Sequence, residues 1–269
     1  MAEKAKMNEY PVRLAVAACL LAASLGILPA SFGAQQKAPP ALLSRISPQA
    51  QKLLDRTLQA LGGTAFLQYK SLFTTGHVFA FSNGQPAGYF PFKSTFEPPD
   101  NRRFSYGKGK PVILINTANQ AWELDRLGRM HQNPEQVRNW KIANRYSMDN
   151  LLRYRIHEPG VLILTGNVDF IDNQPVDTID IIDSRNVHVK LYVHRSTHLP
   201  VRITYRVQNP VTKEWEDYAD DYSSYQAFQG ITTPMQITRY MDDERIGELF
   251  RSSARYNQTI PPNYFEPSR

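Results

Sequence analysis

The sequence predicts a mainly β fold of the α+β class: one long antiparallel sheet, curled into an unclosed barrel, with a helical lid or plug. Three observations carry this. Residues 187–207 alternate, with Val187, Val189, Leu191 and Val193 on one side and His188, Lys190, Tyr192 and His194 on the other. After a turn at 195–200, Val201, Ile203, Tyr205 and Val207 oppose Arg202, Thr204, Arg206 and Gln208. A period of two over both arms marks a hairpin with one apolar and one solvated face. The same pattern recurs over most of the chain, and helical spacing is confined to the start and to one central insertion.

Taken in order, Lys4, Lys6 and Arg13 precede an apolar run from Leu14 to Leu28, and small Ser31 and Gly33 stand before Ala34. This is the layout of a secretion signal over residues 1–33, cleaved before Ala34. The run is shorter than the roughly 20 residues that span a bilayer. Cys19, the one cysteine, lies inside it and would leave with it. The expected product is an exported, periplasmic protein without a thiol. Residues 34–46, with Pro39-Pro40, read as a loose leader. Residues 47–269 read as a single domain, because no linker or break in composition divides them.

Ser47 as N-cap and Pro48 in the first turn open a helix. Leu53, Leu54, Leu58 and Leu61 form its apolar stripe, Gly62-Gly63 stops it, and a short second helix follows over Thr64–Tyr69. Strands then come in series: Leu72–Phe81, a turn at Ser82-Asn83-Gly84, and Tyr89–Glu97 with Phe90, Phe92 and Phe96 on one face. Pro98-Pro99-Asp100 makes a corner before Arg103–Tyr106, Val112–Asn116 and Ala121–Asp125. From His131 to Ile156 the alternation fails. Asn133-Pro134-Glu135 is a helix start, and Val137, Trp140, Ile142, Met148, Leu151 and Leu152 predict one or two inserted helices. Strands resume at Val161–Asp169, Val176–Asp183, the hairpin above, Trp215–Tyr225, Thr233–Met241 and Ile246–Tyr256. The total is roughly ten or eleven strands, joined mostly by short turns as in a meander.

A sheet this long twists by about −20 to −25° per strand pair and curls, leaving an apolar concave face. With so few helices to fill it, a cavity is expected. Its candidate lining is Phe79, Phe90, Phe92, Phe96, Trp122, Leu124, Val189, Leu191, Val193, Val201, Ile203, Tyr205 and Ile237, under a lid carrying Trp140, Met148, Leu151 and Leu152. Leu191→Asp and Val201→Asp should both be badly destabilising. Burying lipid chain is favourable by roughly 0.8 kcal/mol per CH₂, so ten methylenes yield on the order of 8 kcal/mol gross.

Signals for chemistry are weak. No Gly-x-Ser-x-Gly elbow, phosphate loop or dinucleotide glycine pattern occurs. His194 and His198 have a zinc spacing only if helical, and on a strand they stand about 13 Å apart. Asp177, Asp180 and Asp183 lack the spacing and central glycine of a calcium loop. No cofactor, no metal and no enzymatic activity are expected. The net charge of +6 comes from bases scattered among acids. That excludes the concentrated basic face of a nucleic-acid binder and allows transient contact with a membrane surface.

Several motifs in order resemble the LolA/LolB-like family of periplasmic lipoprotein carriers. Leu61-Gly62-Gly63 followed by Tyr69-Lys70-Ser71-Leu72 is similar to its helix-to-first-strand junction, and Asn116–Leu124 with Ala121-Trp122 to its Trp-bearing hairpin. Leu191-Tyr192-Val193 with Thr197-His198-Leu199-Pro200-Val201-Arg202 resembles its central hairpin. Tyr222-Ser223-Ser224-Tyr225, Gly230-Ile231-Thr232-Thr233-Pro234 and Phe265-Glu266-Pro267 extend the likeness to about Ser47–Pro267. The resemblance implies a half-barrel with a helical lid that holds lipid or lipoprotein acyl chains. One departure is plain: the family's lid-latching Arg-Pro is replaced by Glu97-Pro98-Pro99, so no latch is carried over. A sensing or regulatory module that binds envelope proteins is the alternative reading, and a hydrolase is a weaker one.

Overall fold

In the computed structural model, residues 45–267 are described, apart from Asn83. The predicted signal lies outside them. A two-residue strand β1 (Arg45–Ile46) leads into helices α1 (Pro48–Leu61) and α2 (Thr64–Gln68). Six strands follow: β2 (Leu72–Ser82), β3 (Gln85–Glu97), β4 (Asn101–Tyr106), β5 (Val112–Asn116), β6 (Ala121–Leu124) and β7 (Arg129–His131). Helices α3 (Pro134–Tyr146) and α4 (Met148–Arg153) and a 3₁₀ turn (Arg155–His157) form the insertion. The chain then runs through β8 (Leu162–Thr165), β9 (Asp169–Ile171), β10 (Gln174–Ile182), β11 (His188–His194) and β12 (Pro200–Gln208). It ends with β13 (Trp215–Phe228), β14 (Ile231–Met241) and β15 (Glu244–Tyr256).

All fifteen strands of the described residues belong to one sheet, in the order β1-β8-β10-β11-β12-β13-β14-β15-β2-β3-β4-β5-β6-β7, with β9 beside β10. Two meanders are therefore joined edge to edge by the antiparallel β15–β2 pair, where Leu249 faces Val78. The α3–α4 insertion links the outermost strands of the two meanders, β7 and β8, so it must cross the sheet to do so. Among the described residues, only β1 and β8 run parallel. The sheet is curled and unclosed, as the alternation predicts.

Local chemistry accounts for the helices. Ser47 Oγ accepts the Ala50 N–H at 3.3 Å and Pro48 occupies the first turn of α1. Gly62 ends the helix at φ 121°, and a Cβ there would lie 2.3 Å from the Gly230 carbonyl oxygen, so the α1 end and the β13–β14 turn approach too closely for any side chain. Asn133 and Gln136 form a reciprocal capping box at the start of α3.

The structure corrects the sequence reading at four places. Segment 161–169 is two short strands, separated around Gly166, where a Cβ would lie 2.2 Å from Thr178 Oγ1. Arg45–Ile46, assigned to the leader, pairs with Leu162–Ile163. Strand β7 carries three exposed residues and so shows no apolar period. The register between β11 and β12 shifts because Tyr192 faces Arg202 while Val193 faces Pro200. Val201 is thus the extra residue of a bulge and only half-buried, and Pro200 takes the inward position.

One core occupies the concave side. Leu54 and Leu61 of α1, Phe66 of α2, and Leu151 and Leu152 of α4 cluster with Ile163, Ile179, Ile181, Val189, Leu191, Val193, Ile203 and Tyr205 of the sheet. Leu191, Ile203, Leu151 and Leu152 are 0 % exposed. Each such side chain contributes about 1.5–3 kcal/mol by leaving water.

Candidate ligand-binding cavity

The same concave face is not filled everywhere. Beneath α3 and the start of α4 lies a hollow of about 560 Å³. Its apolar wall comes from Leu72 and Val78 of β2, Phe96 of β3, Phe104 of β4, Tyr218 and Tyr222 of β13, Ile237 and Met241 of β14, and Ile246 and Leu249 of β15. Cross-strand partners share a face. The pairs Tyr222–Ile237, Ile237–Leu249, Leu249–Val78 and Leu72–Phe96 therefore carry the wall from strand to strand. The roof is made of Asn139, Trp140, Ala143, Asn144, Ser147, Met148 and Asp149. A groove of about 670 Å³ on the opposite side, among Asp180, Lys190, Thr204, Arg206 and Asp217, belongs to the solvated face.

The roof is fastened at several points. Arg138 of α3 forms a two-bond ion pair with Glu216 of β13. Arg145 reaches Asp183 at 2.9 Å and Glu158 at 2.6 Å, and Tyr146 donates to Asp183 at 2.9 Å. The Asn144 and Asn150 amides both donate to the Pro99 carbonyl, at 2.9 and 2.8 Å. Tyr222 Oη accepts the Met148 N–H at 3.2 Å. Burial would raise the Glu158 carboxyl, but hydrogen bonds from Arg145, Ser184 and Arg155 hold it at about 2.

The hollow is also charged. Arg239 forks onto Asp220 at 2.6 and 2.7 Å, and Asp220 is 1 % exposed. Glu248, at the rim of the hollow, shares the outer face with its strand partners Thr238 and Phe79, and there accepts from Gln236 at 2.8 Å and Thr238 at 3.2 Å and pairs with Arg245 at 3.5 Å. Asp149 accepts the Tyr69 hydroxyl. Arg102 stands 4.7 Å from the centre of the Phe96 ring, and its buried Nε has no hydrogen-bond partner among the described residues. Burial first, and then the Arg251 charge, push Arg102 down to about 10 against the pull of Asp149.

The predicted lining divides into three groups. Phe96, Ile237, Trp140 and Met148 line the hollow. Phe92 stacks on Phe104 at 5.3 Å, and Phe90 lies edge-on to Tyr106; both share the concave side through the Val78–Phe90 and Gly76–Phe92 pairs. Val189, Leu191, Val193, Ile203, Tyr205, Leu151 and Leu152 are concave but belong to the solid core, where helices cover them. Val201 is displaced by its bulge. Phe79, Trp122 and Leu124 lie on the other face. Phe79 packs on Tyr89 and Phe250. Trp122 and Leu124 pair with Ile115 and Ile113, opposite to the Phe104–Leu114 side. Trp122 instead packs against His131 beside a separate hollow of about 320 Å³. His194 serves its turn, its Nδ1 accepting the Ser196 and Thr197 N–H groups at 3.2 and 3.3 Å.

Sequence reasoning missed Arg102, Asp220, Arg239 and Arg251. A signal was available: Arg239 shares the parity of Ile237 and Met241, and Asp220 that of Tyr218 and Tyr222. A charge on the apolar side of a strand is the mark to look for.

Comparison with known proteins places this architecture. No protein-family profile and no curated protein matches the chain. Solved structures do. An outer membrane lipoprotein-sorting protein domain from Vibrio parahaemolyticus is similar with a TM-score of 0.51 at 10 % identity, over 81 % of this chain and 97 % of that one. A LolA superfamily protein from Nitrosomonas europaea gives 0.51 at 13 % identity, over 80 % and 96 %. The chain has a LolA-like fold. A DUF1329 family protein from Desulfovibrio piger, at 0.53 and 11 % identity over 82 % and 98 %, has a similar architecture. Within the LolA-like fold, the hollow lies between the curled sheet and its inserted helices.

Proposed function

We propose that this protein is an exported, non-enzymatic binder or carrier of lipid, taking up acyl chain between the curled sheet and the α3–α4 roof. The signal at 1–33 delivers it to the periplasm, and residues 47–269 act as one binding domain. One observation carries the reading: a hollow of about 560 Å³ with a mainly apolar wall on a concave sheet. That volume falls inside the roughly 300–1,000 Å³ of small-molecule sites. The LolA-like fold supports it, since one similar structure is described as a lipoprotein-sorting domain. Sequestering apolar chain from water supplies the driving force, and no covalent chemistry is needed.

Native mass spectrometry of protein purified from its own cells tests this. Masses of bound lipid that disappear on delipidation, and return when lipid is added, are the expected result. A protein that carries and takes up no lipid, but holds a protein partner from envelope extracts, would move the reading to a sensing module.

A further inference from the structure

Among the described residues five charged side chains face the hollow, Arg102, Asp149, Asp220, Arg239 and Arg251, and they are not equally matched. Asp220 is satisfied by Arg239 and Asp149 by Tyr69. That leaves Arg102 and Arg251. Neither has a carboxylate within ion-pair distance among the described residues, and the Nε of each is buried without a hydrogen-bond partner. Arg251 donates from Nη1 to the Pro234 carbonyl at 2.9 Å. Arg102 makes no hydrogen bond to any described residue, and its one aromatic contact is with Phe96. The two positive groups are close enough to repel each other. Both side chains are half-buried, so a guanidinium pair of this kind, short of acceptors and with like charges side by side, gains from an anion that joins it.

We propose that Arg102 and Arg251 form an anion subsite inside the hollow, so that the ligand is a single-chain amphiphile whose carboxylate or phosphate head sits on the two guanidiniums. This rests on the lipid-binding reading and narrows it. Guanidinium forks suit both head groups because each presents paired oxygens. The chain then lies along Leu249 of β15, the strand of Arg251, and along Val78 and Ile237 of the strands on either side of it. A hollow of about 560 Å³ suits one such molecule better than a bundle of chains.

Calorimetric titration of the purified, delipidated protein with dodecanoate, dodecyl phosphate, dodecanol and inorganic phosphate tests the proposal. At least one of the two anionic amphiphiles should bind about ten-fold tighter than dodecanol, as a charge-assisted contact predicts. Arg102→Met should bring the ratio of anion to dodecanol affinity to about one and raise the melting temperature, because it removes an unmatched charge. Arg102→Lys should keep part of the preference. A structural arginine would behave oppositely and lose stability on substitution. Equal affinity for dodecanol and both anions in the wild-type protein, or a preference that survives Arg102→Met, would overturn the subsite while leaving lipid binding intact. Inorganic phosphate binding as tightly as dodecyl phosphate would replace the amphiphile with free phosphate. If no chain-bearing probe binds at all, the wider reading falls first.

Discussion

The two halves of the concave face are built from the same kind of strand and end differently. Over β8 and β10–β12, the helices supply Leu54, Leu61, Phe66, Leu151 and Leu152, and the space is filled. Over β13–β15 and β2–β4, the short Asn139, Ala143, Asn144 and Ser147 stand beside Trp140 and Met148 in the cover, and a hollow is left. The core residues that the strands of the filled half turn inward are apolar or Tyr, whereas those of the hollow half include Arg102, Asp220, Arg239 and Arg251. Whether a curled sheet makes a core or a container is thus decided by the volume and polarity of what crosses it. Sheet alternation is common to both.

The largest effect should come from breaking the filled half. Leu191→Asp places an unpaired charge at a site that is 0 % exposed and should cost more than about 4 kcal/mol, read as loss of the urea unfolding transition. Val201→Asp, on the bulge, should cost less than half as much in the same assay. Equal losses would mean that the bulge does not turn Val201 outward.

Next comes the fastening between the halves. Asp183 accepts Arg145, Tyr146 and two backbone N–H groups at 2.8–3.1 Å. Asp183→Asn should lower stability by about 3 kcal/mol and speed hydrogen exchange in α3 before α1. Uniform acceleration would show that the roof does not open separately.

A smaller change should come from filling the hollow itself. Ala143→Leu adds methylenes to the roof and is expected to leave stability unchanged or raise it by about 0.5–2 kcal/mol, while abolishing uptake of a fluorescent fatty acid. Loss of stability with unchanged uptake would place the ligand elsewhere.

The smallest effect is in acid. With a folded value of about 2 against an ordinary carboxyl value near 4.3, Glu158 contributes stability that is complete above the unfolded value. That contribution is lost as pH falls toward 2, because protonation then costs the Arg145 and Arg155 bonds. Glu158→Gln should show a shallower decline over that window, measured by denaturant midpoints.

Much of the fold was legible because strand identity is local. The 187–207 hairpin, the Ser47 cap and the Asn133 start each announce themselves within a few residues. The short strands β1, β7 and β9 did not, because two or three residues hold no period. Face assignment held within β3 and β11 but failed for Phe79 and Trp122. Apolar character alone does not say which side of a sheet an aromatic ring occupies, and Tyr89 and Phe250 cover Phe79 from outside.

The residues alone determined a one-sided antiparallel sheet, its turns and an inserted helical segment, since alternation and capping act between near neighbours. The location of the hollow, and the meeting of Arg102 with Arg251, were decided only when β15 paired with β2 and brought the late meander beside the early one. Those contacts join distant parts of the chain, and their energy depends on side-chain volumes and charges brought together by folding, which no local period encodes.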